Sequence, residues 1–139
     1  MLRRQLGNAG ARLRAADPQL LIFLGAIAFC GAAAGVFHST INNFLSDTFD
    51  LGPHMRGRLE FPRELPGFLA AIFTAGLFFL PASRLGAVAA AGVAGGMVGL
   101  ACMGDDYTLM IAALMLWSSG SHLQQPASST LALQLAGTG

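Results

Sequence analysis

Apolar and polar residues divide this chain into four long helix-compatible runs separated by short polar turns. From Leu20 to Phe37 every position is apolar or small, and the pattern continues through His38, Ile41, Phe44 and Leu45. Asp50, Leu51, Gly52 and Pro53 then form a turn, with Pro53 suited to start a helix. The second run ends at Leu80 and opens with the charged stretch 56–67, RGRLEFPRELPG. Pro81-Ala82-Ser83-Arg84 breaks it, a run rich in Gly and Ala follows to Met103, and Gly104-Asp105-Asp106 turns the chain again. The fourth run starts near Tyr107 and reaches about Leu135, with Pro126 inside it. The boundaries read this way are a basic tail over 1–17 and a transmembrane region over 18–139. Its spans are 18–49, 54–80, 85–103 and 107–135.

Composition turns these runs into membrane spans. Hydrophobic residues make up 54% of the chain, charged residues only 11%, and the mean hydropathy is +0.60. Soluble domains carry about 25% charged residues. Runs of this length are spanning helices and not barrel strands. The expected class is therefore an all-α integral membrane protein of four transmembrane helices. A signal peptide is the rival reading of the first run, but 18 apolar residues exceed the usual signal core. The net charge of +1 supports no nucleic-acid partner. Cys30 and Cys102 lie in apolar runs without metal-type pairing and read as buried small side chains.

Charge sets the orientation. All eight basic residues are Arg. Arg3, Arg4, Arg12, Arg14 and Arg84 fall on one side of the four spans, and Arg56 and Arg58 on the other. The positive-inside rule then places both termini in the cytoplasm of a multi-pass inner (plasma) membrane protein.

The second run is the costly one. A charge at the centre of a membrane helix costs about 2.5–3.5 kcal/mol, and each large apolar residue returns only about 0.3–0.6 kcal/mol. Glu60, Arg63 and Glu64 must therefore pair, lie near the surface or face water. The i, i+3 spacing makes Glu60 and Arg63 a pair near the outer end of the helix, with Arg56 one turn earlier on the same face. Glu64 lies about 100° round the helix and calls for another partner.

Polar residues recur at helical spacing elsewhere. Gly31, Gly35, His38 and Asn42 share one face of the first run, and Ser118, His122, Gln125 and Ser129 one face of the fourth. Turned inward, these faces and the charged face of the second run would share a polar interior. Structural roles are the alternative: hydrogen bonds between helices, an ion pair, and side chains that satisfy carbonyls freed by Pro126. Gly92, Gly95, Gly96 and Gly99 read as packing positions that let the third helix approach a neighbour. Neither HExxH nor Gly-x-Ser-x-Gly occurs, so no enzyme activity, cofactor, catalytic residue or metal site is expected.

The order INNFLSD, RGRLEFPRELPGF, a Pro/Arg turn, a Gly-rich run and then HLQQPASSTLAL resembles the start of a major facilitator superfamily transporter. The similarity covers Pro18 to the end, with RGRLEFPRELPG as its most specific part. The loop before the third run departs from that family, with LPASRLG in place of a Gly, an Asp and several basic residues. The resemblance implies solute movement by alternating access in a bundle of twelve spans, two halves of six built from three-span repeats. It also implies that spans 1 and 4 line the central path while span 2 rocks against the other half, which by position makes His38, Asn42, His122 and Gln125, with Glu60, Arg63 and Glu64 of span 2, the substrate-path candidates. Four spans amount to one repeat and the first helix of the next. The chain is accordingly expected to be an N-terminal, four-span portion of a transporter, inactive alone. Its partners would be the lipid bilayer, an unidentified small solute, and the missing second half or other membrane helices. A self-contained four-helix membrane protein that acts by association, as an assembly factor or a small oligomeric transporter, is the alternative.

Overall fold

The computed structural model describes residues 18–76 and 79–137, so the Arg-rich tail, Leu77, Phe78, Thr138 and Gly139 lie outside the described residues. Four helices follow in order: α1 (Pro18–Phe49), α2 (Pro53–Gly76), α3 (Ala82–Met103) and α4 (Tyr107–Gly137). The described part of the chain is all-helical. Two helices, α1 and α3, are long and apolar enough to cross a membrane. The charges of α2 and the polar stretch 118–130 of α4 dilute their hydropathy.

Local chemistry explains the helix ends. Asp50 adopts φ 51°, and its N–H donates to the Ser46 carbonyl at 3.0 Å. That left-handed residue stops α1, and Asp is among the few side chains that tolerate the conformation. The Arg56 Nε donates to the Leu51 carbonyl at 2.9 Å and ties α2 back to this turn. Asp106 caps α4, its Oδ1 accepting from the N–H groups of Thr108 and Leu109, both at 2.9 Å. The described part of α2 runs to Gly76, the expected end at Leu80 lies outside the helix, and α3 starts at Ala82, three residues before the expected Leu85.

α4 is the hub. It packs along α3, meets α2 over a shorter stretch, and touches α1 only locally. The α3–α4 seam is built from small residues. A Cβ at Gly96 would lie 2.5 Å from the backbone nitrogen of Trp117, and one at Gly92 would lie 3.2 Å from the Cα of Gly120. Gly99 faces the Cβ of Ala113 at 3.0 Å in the same construction, and Gly120 faces the Ala89 carbonyl at 2.5 Å. These values leave backbone against backbone, the close approach that small residues permit. Gly95 is peripheral: a Cβ there would meet only the Leu116 side chain, at 3.3 Å.

Two apolar clusters fill the remaining space. Leu85, Ala89, Leu123 and Ala127 extend the seam. The larger cluster joins Phe37, Ile41 and Leu45 of α1 to Leu59 of α2 and Met110, Leu114 and Trp117 of α4. Phe37 stacks on Trp117 with ring centroids 3.6 Å apart, and the buried Trp117 Nε1 has no hydrogen-bond partner among the described residues.

This packing corrects the expected shared polar interior. The covered face of α1 is Phe37, Ile41 and Leu45, at i, i+4 and i+8, while Gly31, Gly35, His38 and Asn42 are exposed. From Phe37 onward the apolar residues of α1 form one stripe among polar ones, and burial of that stripe against the Trp117 ring turns it inward. The cysteines differ from expectation as well, with Cys30 half-buried and Cys102 exposed.

Candidate functional site

The charged residues of α2 meet α4 in one cluster. Arg63 sits between two carboxylates, its Nη2 2.5 Å from the Glu60 Oε2 and its Nε 3.3 Å from the Glu64 Oε1. The Glu60–Arg63 pair is the i, i+3 contact read from the spacing. Glu64 is joined from two sides, since its Oε2 also lies 3.6 Å from the His122 Nε2 on α4. The long Arg side chain spans the turn of the helix between the two acids, which spacing alone does not reveal.

Gly67 makes this meeting possible. A Cβ there would fall 2.7 Å from the Cε1 and Nε2 of His122. The absence of a side chain lets the imidazole lie against α2, one turn beyond Glu64. Gly67 belongs to the face that carries Arg56, Glu60 and Arg63, so that face does turn toward α4 through its last member. Arg56 does not join the cluster, because its Nε is committed to the Leu51 carbonyl.

The position differs from expectation as well. Glu64 lies near the middle of α2, and His122 near the middle of α4. The cluster therefore sits at mid-height of the helix pair and not near the end of α2. The side chains of Glu60 and Glu64 are 49% and 46% accessible, against 21% for Arg63. One cation is thus held between two half-open carboxylates. With His122 neutral the four groups sum to one negative charge, and with His122 protonated they balance. The partly paired acids of the cluster are open to one side.

The other candidates lie elsewhere. His38 rests edge-on to Trp117 at 5.5 Å and to Phe37 at 5.6 Å. Asn42 and Gln125 are exposed, and no described contact joins them to the cluster. The structural alternative for His122, Gln124 and Gln125 is to satisfy carbonyls freed by Pro126. Instead the His122 ring points to Glu64, and the hydroxyls of Ser129 and Thr130 donate to the Gln125 and Pro126 carbonyls at 3.0 and 2.9 Å. Among the described residues, no group of three or more His, Cys, Asp or Glu side chains is placed to hold a metal ion. Comparison with protein-family models, with curated proteins and with solved structures returns no match to this chain.

Proposed function

We propose that this chain is a membrane transport protein of the major-facilitator type, with four spans and both termini cytoplasmic, that moves a small solute by alternating access. The observation that carries this reading is the Glu60–Arg63–Glu64–His122 cluster at mid-height of α2 and α4. Ionisable groups at membrane depth are expensive and mark substrate or ion pathways. Here they bridge two helices, so a change in their pairing bears directly on how α2 and α4 sit together. Asn42 and Gln125, exposed on helices that the family resemblance assigns to the central path, extend the polar lining.

The chain supplies part of the path wall, and further membrane helices complete it. The half-open carboxylates and the uncovered polar residues of α1 are consistent with a wall that continues beyond these four helices. The reading in which the chain acts by association also has a specific observation in its favour. Gly31 and Gly35 are one turn apart on the exposed side of α1, and a Cβ at either meets nothing within 4 Å. That surface suits a partner helix in both readings.

Thiol accessibility in sealed membrane vesicles tests the path. In a cysteine-free background, Asn42→Cys and Gln125→Cys should react with a membrane-impermeant cationic methanethiosulfonate. Phe29→Cys and Val98→Cys, on exposed apolar positions, should not. Equal reactivity at all four positions, or none at the first two, would remove the aqueous path.

A further inference from the structure

A cavity of about 700 Å³ opens between the first half of α1, the first half of α3 and the second half of α4, apart from the charged cluster. Each helix contributes one face to it: Gln19 to Cys30 on α1, Ser83 to Ala90 on α3, and Gln124 to Leu135 on α4. Among the described residues, no charged side chain lines it. Its walls are Ala, Ile, Leu and Phe, and the small residues Gly86, Ala87 and Ala90 keep the α3 side thin. Polar groups are confined to amides, hydroxyls and the Cys30 thiol.

The helix directions order these groups along the cavity. The starts of α1 and α3 and the end of α4 share one end of the bundle, which brings Gln19, Ser83 and Gln134 to the mouth. Gln124 lies ten residues before Gln134, which places it about 15 Å deeper at the helical rise, with Ser128 between them. The volume falls within the range of roughly 300–1,000 Å³ typical of small-molecule sites, where apolar walls carry a few polar groups.

We propose that this cavity binds a small, uncharged, amphipathic molecule, with an apolar body against the Ala, Ile and Leu walls and a hydrogen-bonding group held by the amides of Gln124 and Gln134. A charged ligand would find no counter-ion among the described lining residues. A lipid tail would leave the amides of Gln124 and Gln134 without use for their hydrogen-bonding capacity in an apolar setting. This site goes beyond the transport reading and does not rest on it.

Cys30 reports occupancy, and the exposed Cys102 on α3 is the internal control. The purified chain in phosphatidylcholine nanodiscs is treated with N-ethylmaleimide in the presence of decanamide, decane or decanoate, and modification of each thiol is followed by peptide mass. Decanamide should slow Cys30 about tenfold and leave Cys102 unchanged, while decane and decanoate protect neither. Gln124→Leu should raise the decanamide needed for half-protection about tenfold, the equivalent of one lost hydrogen bond. Ala90→Phe, at an exposed lining position, should fill the space and abolish the effect. Equal protection by decane would show an apolar slot for lipid tails and overturn the proposal. So would a Cys30 that is unreactive without any probe because a helix of a second copy covers it. Decanamide protection that both variants retain would overturn it too, as would no protection by decanamide.

Discussion

Gly96→Leu should lower the detergent melting temperature of this protein by on the order of 10 °C, corresponding to roughly 3 kcal/mol. A Cβ at Gly96 lies 2.5 Å from the backbone nitrogen, and 2.5 Å from the Cβ, of Trp117. Backbone cannot turn aside as a side-chain tip can, so α3 and α4 would have to separate. That motion would loosen the packing of Leu85, Ala89, Leu123 and Ala127 and disturb the Phe37–Trp117 stack. The glycines should rank by what their Cβ meets. Gly120→Ala, 2.5 Å from the Ala89 carbonyl, belongs with Gly96. Gly99→Ala should be milder, and Gly95→Ala nearly neutral because the Leu116 side chain can give way. Gly35→Ala meets nothing within 4 Å and should leave stability unchanged. A melting series in which Gly96→Leu equals Gly35→Ala would mean that α3 and α4 do not pack through these residues.

Arg63→Ala should be the most damaging charge substitution in the chain. It removes the shared partner of Glu60 and Glu64, which are one turn apart and repel each other once the guanidinium is gone. Breaking a buried pair by removing one member costs about 3–5 kcal/mol. The accessibility of these carboxylates lowers that figure, so roughly 2 kcal/mol of lost folding stability is the expectation. The double change Arg63→Ala with Glu60→Ala should recover much of the loss, because the remaining carboxylate, Glu64, still faces His122 at 3.6 Å. Folding yield and melting temperature of the two single variants and the double variant form the cycle. Additive losses would reject the pair.

The helices were legible in the sequence because Pro53, the Pro81 break and the Gly104-Asp105-Asp106 turn punctuate runs of clear composition. The glycine seam was legible because Gly92, Gly96 and Gly99 recur at helical spacing; its partner, Gly120, lay unremarked between two serines. The Glu60–Arg63 pair followed from i, i+3 spacing. Two features did not follow. A membrane helix can turn either a polar or an apolar face to its neighbours, so the stripe Phe37, Ile41, Phe44 and Leu45 did not by itself show that it faces inward while His38 and Asn42 do not. The His122–Glu64 approach depends on which turn of α2 meets which turn of α4, a register that Gly67 permits and that only the packed structure reveals.

The four-span account requires α2 to cross the membrane with its charges, and α4 to cross beside it. Among the described residues, α1 and α3 alone meet the length and hydropathy requirements for a span. Two-span and four-span arrangements therefore differ at a single turn. With the N-terminus inside, both arrangements place Gly52 outside. If α2 also crosses, α3 runs outward and Gly104 lies outside; if α2 stays out of the bilayer, α3 runs inward and Gly104 lies in the cytoplasm. Paired reporters fused at Gly104, one active only outside and one only in the cytoplasm, decide between them. The four-span account predicts an outside signal at Gly104, and a cytoplasmic signal there would contradict it.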